Sequence, residues 1–136
     1  MSGPRVYTVD EVNAMIPLLE ERFIALDELR RKLKIIKIRL DATEMIWGEQ
    51  IHKKDCPDHH EYEHHLEDLK NAEEQFQKIA GSFTEFSATV KGLDPGLLDF
   101  YGVRDGYLVY LCWRRGEDKC EYWHHIDTGF AGRQKL

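Results

Sequence analysis

Apolar residues recur along the first third of the chain with the spacing of a helix packed on one side. Val12, Leu19, Leu26, Leu33 and Leu40 fall seven apart, with Met15, Leu29 and Ile36 at the intermediate position and Ile16 and Phe23 beside them. A start signal precedes them in Tyr7-Thr8-Val9-Asp10-Glu11-Val12. Here the Thr8 hydroxyl accepts from the backbone N–H of Glu11 and the Glu11 carboxylate accepts from the N–H of Thr8, while Tyr7 and Val12 are placed for a hydrophobic staple. The pattern predicts an amphipathic helix over residues 8–46, roughly 58 Å long at the ordinary helical rise. Pro17 lies inside it, and its missing N–H predicts a kink or a restarted first turn.

A second start signal is Pro57-Asp58-His59-His60-Glu61, with Asp58 as N-cap. Tyr62, Leu66, Leu69, Ala72, Phe76, Ile79, Phe83, Phe86 and Val90 follow at helical spacing, and Gly92 fits the residue just past a helix end. This predicts a helix over 58–91. Two helices of similar length and a short connector make an antiparallel hairpin. Such a hairpin would set the basic run Arg30, Arg31, Lys32, Lys34, Lys37 and Arg39 beside Glu61, Glu63, Glu67, Asp68, Glu73 and Glu74.

From Gly92-Leu93-Asp94-Pro95-Gly96 onward the period changes. Leu97–Phe100 reads as a short strand, Tyr107–Trp113 as a strong one and Cys120–Ile126 as its hairpin partner across Arg115-Gly116-Glu117-Asp118, giving two or three antiparallel strands. With that four-residue loop, Trp113 faces Cys120, Leu111 faces Tyr122 and Val109 faces His124. His124 then shares a face with Trp113, and His125 lies with Tyr110 and Trp123; a one-residue slip exchanges the two assignments. The expected fold is α+β: one domain over 1–136, with a long antiparallel helical hairpin over 8–91 and a small antiparallel β-sheet in the β-rich tail, 92–136.

Composition narrows the function classes. The 136 residues carry 19 Lys and Arg against 25 Asp and Glu, a formal net charge of −6, which argues against a general nucleic-acid binder. No apolar run is long enough for a membrane span, and Met1-Ser2-Gly3-Pro4-Arg5 leads into charged sequence without a signal-peptide core, so a cytoplasmic protein with no membrane partner is expected. The cysteines, Cys56, Cys112 and Cys120, are far apart and form no Cys-x-x-Cys, as expected of reduced thiols.

Several segments resemble a bacterial domain-of-unknown-function family, number 2203. They are Tyr7–Pro17, Gly96-Leu97-Leu98-Asp99-Phe100, Val109–Glu117, and Tyr122-Trp123-His124 followed by Asp127–Gln134. Residues 18–91 are similar only as generic heptad-like helix. The resemblance implies a small prokaryotic cytoplasmic protein with a helical N-terminal part and a β-rich tail, and it brings no catalytic residues. The histidine-rich connector and His125 lie outside the family pattern.

Three constellations are candidates for chemistry. His52, Cys56, His60 and His64 recur every fourth residue, with His59, Glu61 and His65 in the same segment. Imidazoles four apart share a helix face and can chelate one ion, so His60 and His64 form the leading pair, favouring Zn²⁺, Ni²⁺ or Cu²⁺ over Mg²⁺; the alternative is a solvated polar connector. In Trp123-His124-His125-Ile126-Asp127, His124 can serve as a base or ligand oriented by Asp127, or belong to a structural network. In Gly129-Phe130-Ala131-Gly132-Arg133, Arg133 can hold a carboxylate or phosphate, although the spacing is no phosphate-loop fingerprint and reads equally as a docking turn.

The leading expectation is a non-enzymatic interaction or scaffold domain, a homodimer whose hairpins pair as a four-helix bundle and which meets a protein partner without any certain cofactor. The alternative is a metal-binding protein or a metal-dependent hydrolase that uses the His-rich connector and the Trp123–Asp127 tail.

Overall fold

The computed structural model describes residues 5–136; the reading of Met1–Pro4 lies outside the described residues. Helix α1 runs Val9–Trp47 and opens on the expected capping box, with Thr8 N 2.9 Å from the Glu11 carboxylate and Glu11 N 3.2 Å from the Thr8 hydroxyl. The Thr8 backbone N–H, aided by Arg5, holds the Glu11 carboxyl below the usual carboxylate range. α1 passes through Pro17 without restarting, because the flanking Ile16 and Leu19 are buried and outweigh one lost helix hydrogen bond. Helix α2 runs His59–Gly81 and passes into a 3-10 turn at Ser82–Phe86.

The end of α2 corrects the expected boundary of residue 91. Ser87 adopts a left-handed conformation (φ 53°), and Thr89–Leu93 then forms strand β1. Its apolar spacing suits a helix, but β-branched Thr89 and Val90 pair with Asp99 and Leu98 of the next strand, and tertiary pairing overrides the helical period. Gly92 is therefore a strand residue and not a helix terminator.

β2 (Gly96–Arg104), β3 (Tyr107–Arg114), β4 (Tyr122–His125) and β5 (Gln134–Lys135) complete an antiparallel five-stranded meander in the order β1-β2-β3-β4-β5. The sheet is larger than the two or three strands expected. Asp105 and Gly106, both at positive φ, make the tight turn between β2 and β3.

The register of β3 against β4 is one residue off the expected one: Tyr110 faces His124 and Val109 faces His125. The connector is longer than four residues and is held by its own bonds. Trp113 Nε1 donates to the Glu117 carbonyl (2.9 Å), Arg114 N donates to the Glu117 carboxylate (2.7 Å), and Cys120 N donates to Asn13 Oδ1 (2.7 Å) in place of pairing with Trp113. The slip puts His124 on the Tyr110 and Cys112 face, where it is buried, and leaves His125 exposed.

The chain divides into two compact units. In the unit formed by the N-terminal residues to Ile24 together with Ala80–Leu136, one sheet face carries Leu98, Phe100 and Trp113, all at 0% exposure. Phe23 packs there, 4.8 Å from the Phe83 ring and 6.2 Å from Trp113, and Tyr7 meets Phe100 edge-on at 5.6 Å. Gly96 is required at this contact, since a Cβ would stand 2.6 Å from the Phe23 ring. The opposite face carries Asp99, Cys112 and His124.

The other unit, Ala25–Ile79, is the antiparallel helical hairpin. Its core is Ile36, Leu40, Ile51, Cys56 and Tyr62 with Trp47 and Leu69 against them. Polar bonds close its end: Tyr62 Oη donates to Glu44 (3.0 Å), Trp47 Nε1 donates to Asp58 (2.8 Å), and His59 Nδ1 bonds the Ile51 carbonyl (2.8 Å). Among the described residues, the basic positions from Arg31 to Arg39 do not form the expected ladder of cross-helix ion pairs. Pairs run along single helices, as in Arg30–Asp27 and His64–Asp68, and among the described residues Arg31, Lys32, Lys34, Lys37 and Arg39 make no ion pair with α2. Exposed long side chains gain too little from such pairs to be held in one geometry. Among the described residues, no helix is long and apolar enough to cross a membrane.

Candidate metal centre

Asp99, Cys112 and His124 stand on β2, β3 and β4, and each is buried to 1% exposure or less. The register sets Asp99 directly opposite Cys112, and the alternation of strand side chains aims His124 to the same face. One ligating atom from each, carboxylate oxygen, thiol sulfur and ring nitrogen, lies within 4.8 Å of the other two.

The hydrogen bonds of His124 define its chemistry. Nδ1 lies 2.8 Å from the His125 carbonyl, which can only accept, so Nδ1 carries a proton. Nε2 lies 3.0 Å from Asp99 Oδ2. At that distance the two atoms share a proton, and both would be free to ligate one cation lying beside them in its place. A ring that donates from one nitrogen to a backbone carbonyl and presents the other is oriented as metal-ligating histidines usually are.

Asp99 Oδ1 is buried with no hydrogen-bond partner. Glu20 Oε1, His65 Nδ1 and Trp123 Nε1 are in the same condition, but among the described residues only Asp99 belongs to a cluster of ligating groups. Leaving a buried polar atom unpaired costs about 1–3 kcal/mol, and more for a charged group.

Burial, and next the nearby Asp99 charge, push the Cys112 thiol up to about 12 against the opposing pull of Arg133. Without a cation the sulfur is thus protonated at neutral pH and is no activated nucleophile. Burial likewise pushes Cys120 up to about 11. An ionised Asp99 with a thiolate at Cys112 would place two negative charges together, the charge a divalent ion neutralises.

The C-terminal segment closes this face. Arg133 binds both Glu117 carboxylate oxygens (2.7 and 3.2 Å) and stacks over the Tyr122 and Phe130 rings at 3.9 and 4.3 Å. Its Nη1 lies 3.9 Å from Cys112 Sγ. Burial disfavours its charge, but the bonds to Glu117 and Cys112 carry its pKa above the usual arginine value. On the other side Tyr110 lies 5.3 Å from the His124 ring and stacks on Tyr101 at 5.0 Å.

The candidates read from sequence are distributed differently. His124 is in the centre, but its carboxylate partner is Asp99; Asp127 is exposed. Arg133 does hold a carboxylate, that of Glu117 in the same chain. His60 and His64 line one open hollow along α2, where His64 pairs with Asp68 at 3.6 Å. His52 packs edge-on to Tyr62 at 5.8 Å, and Cys56 is buried among Ile36, Leu40 and Ile51. Among the described residues these four do not join a three-ligand cluster. The helical break at Pro57 separates His52 and the buried Cys56 from His60 and His64, which stay together on α2.

Sequence reasoning missed Asp99, Cys112 and Glu117. One signal was present: an aspartate inside the apolar run Leu97-Leu98-Asp99-Phe100 asks for a buried partner. All five residues of the centre and its closure, Asp99, Cys112, Glu117, His124 and Arg133, lie in the segments that carry the family resemblance.

No curated protein matches this chain. No solved structure matches it either. A family model described as an uncharacterised conserved protein, DUF2203, matches residues 5–136, and on that match, which spans nearly the whole sequence, the chain belongs to the DUF2203 family.

Proposed function

We propose that this chain is a small metal-binding protein that holds one borderline transition ion, Zn²⁺ foremost, at Asp99, Cys112 and His124. The observation that carries the reading is the unpartnered, buried Oδ1 of Asp99 beside the presented Nε2 of His124. The nitrogen, oxygen and sulfur donors suit Zn²⁺ and disfavour Mg²⁺ and Ca²⁺. Bonds of about 2.0–2.3 Å hold two zinc ligands at most ~4.5 Å apart, so small side-chain adjustments bring the three donors together. Three protein ligands leave zinc a fourth position for water, as in catalytic sites, but the burial of all three residues closes that position to a substrate. The reading is therefore of a held ion, structural or sensing, and not of a hydrolase.

The test is elemental mass spectrometry of tag-free protein purified with and without added Zn²⁺. About one metal per chain is expected, lost in Asp99→Asn and Cys112→Ser and retained in a His60→Ala/His64→Ala double variant. Metal-free protein in all conditions, or metal lost only from the double variant, would overturn the proposal.

A second reading rests on α1. Ile35, Ile38, Met45 and Ile46 are 51%, 57%, 86% and 72% exposed and lie on one side of the helix, away from buried Ile36 and Leu40. This stripe supports an interaction role for the hairpin, with a second copy of the chain as the partner that would cover it.

A further inference from the structure

Across residues 126–136 every residue is exposed except Arg133. The segment buries almost no apolar surface of its own, and Phe130 and Leu136 remain 41% and 39% exposed. Its turn is held by internal bonds, from Gly132 N to the Gly129 carbonyl (3.0 Å) and from Arg133 N to the Phe130 carbonyl (3.1 Å). Its ties to the sheet are few. β5 pairs with β4 at Tyr122–Lys135 and Trp123–Gln134, Leu136 N donates to the Glu121 carbonyl (2.8 Å), and Arg133 holds the Glu117 carboxylate. A stretch with so few buried contacts opens locally far more easily than the core does.

This segment touches two of the three residues of the candidate centre. Asp99 and His124 flank Cys112 from the neighbouring strands, whereas Arg133, with Nη1 3.9 Å from Cys112 Sγ, comes from outside the sheet. At the other end the His125 carbonyl accepts from Thr128 N and from the Thr128 hydroxyl, both at 3.1 Å, as well as from His124 Nδ1. The carbonyl that orients the His124 ring is thus also the base of the segment. Cys112 is at 0% exposure, so something must move before an ion reaches its sulfur. Parting β2 from β3 would break a ladder of eight residue pairs, against two for lifting β5 from β4.

We infer that residues 128–136 form a strap over Cys112, latched by Arg133 on Glu117, which opens to let an ion reach the thiol and closes behind it. The gating of an ion rests on the reading of Asp99, Cys112 and His124 as a metal centre; the covering of the thiol does not.

The experiment labels metal-free full-length protein with iodoacetamide and locates the modified cysteines by peptide mass analysis, in the parent, Arg133→Gln and Glu117→Gln. Losing one charge-assisted pair favours local opening by about tenfold, so Cys112 should label about tenfold faster in both variants. Cys56 labelling and hydrogen exchange of the β2 and β3 amides are expected to stay unchanged, which separates strap opening from loss of the fold. An unchanged Cys112 rate in both variants, or an equal acceleration at Cys56 or in the sheet amides, would overturn the strap. The same proteins loaded with Co²⁺ are then mixed with excess chelator. Release faster by a similar factor in the variants is expected, and unchanged release would overturn the gating. Faster Cys112 labelling in variants of a parent that binds no Co²⁺ would remove the metal reading and keep the strap as the cover of the thiol.

Discussion

Nε2 of His124 lies 3.0 Å from Oδ2 of Asp99 although a whole strand separates them. β3 passes between β2 and β4, and its small Cys112 side chain on this face leaves the space through which a carboxylate and an imidazole meet. The pair sits at the limit of burial, with side-chain exposures of 1% and 2%. A buried pair of this kind is costly to halve.

Replacing Asp99 with alanine in metal-free protein is therefore expected to destabilise the fold by about 3–5 kcal/mol, because it leaves the buried Nε2 of His124 without its partner. Denaturant unfolding of Asp99→Ala against the parent checks it, and a loss below about 1 kcal/mol would mean the pair is not the strongly coupled one described.

Gly96 is expected to reject any side chain. A Cβ there would stand 2.6–3.0 Å from three atoms of the Phe23 ring, in a core that includes Phe83 and Trp113. Gly96→Ala should cost about 1–3 kcal/mol through overpacking. Gly129→Ala, with nothing within 4 Å of the added carbon, should stay within about 0.5 kcal/mol of the parent by thermal melting.

How far the sequence carried this picture follows from which interactions are local. The Thr8–Glu11 box and the heptad series ending at Leu40 depend on neighbours three to seven residues away, and α1 begins and ends within a residue of its expected bounds. The β1 segment was misread because its spacing fits a helix as well as a strand, and only pairing with Leu98 and Asp99 decides. The β3–β4 register depended on a loop held by Glu117 and Asn13, neither predictable from the turn residues. The centre inherited that error. His124 was legible as a candidate, whereas Asp99 is 25 residues away and Cys112 could be joined to it only by knowing the register.

The thiols give a pH dependence with a definite sign. Cys112 and Cys120 are pushed from an ordinary value of 9.0 up to about 12 and about 11. The folded state thus holds these protons more tightly than the unfolded state. Their contribution to stability is fully present below pH 9.0 and is lost as pH rises from there toward 11 and 12. Metal-free protein should show melting temperatures that fall through this window. At pH 8 both cysteines should react with iodoacetamide only as fast as the protein opens, and rapid labelling of either in the folded state would contradict their burial.

If a second copy covers the outer stripe of α1, Ile38→Glu should shift the protein from dimer to monomer in light scattering at micromolar concentration, without altering its helical circular dichroism. Ile38 is 57% exposed, so the substitution leaves the core of each chain untouched. A parent already monomeric at high concentration would remove the self-association reading and leave the metal centre unaffected.

The most direct test of the metal centre is a cobalt titration read by absorption. Co²⁺ takes zinc-like positions and reports a bound thiolate through a sulfur-to-metal charge-transfer band. The account predicts a band that saturates at about one equivalent and disappears in Cys112→Ser but not in Cys56→Ser or Cys120→Ser. A band that survives Cys112→Ser, or no thiolate band at all, would contradict it.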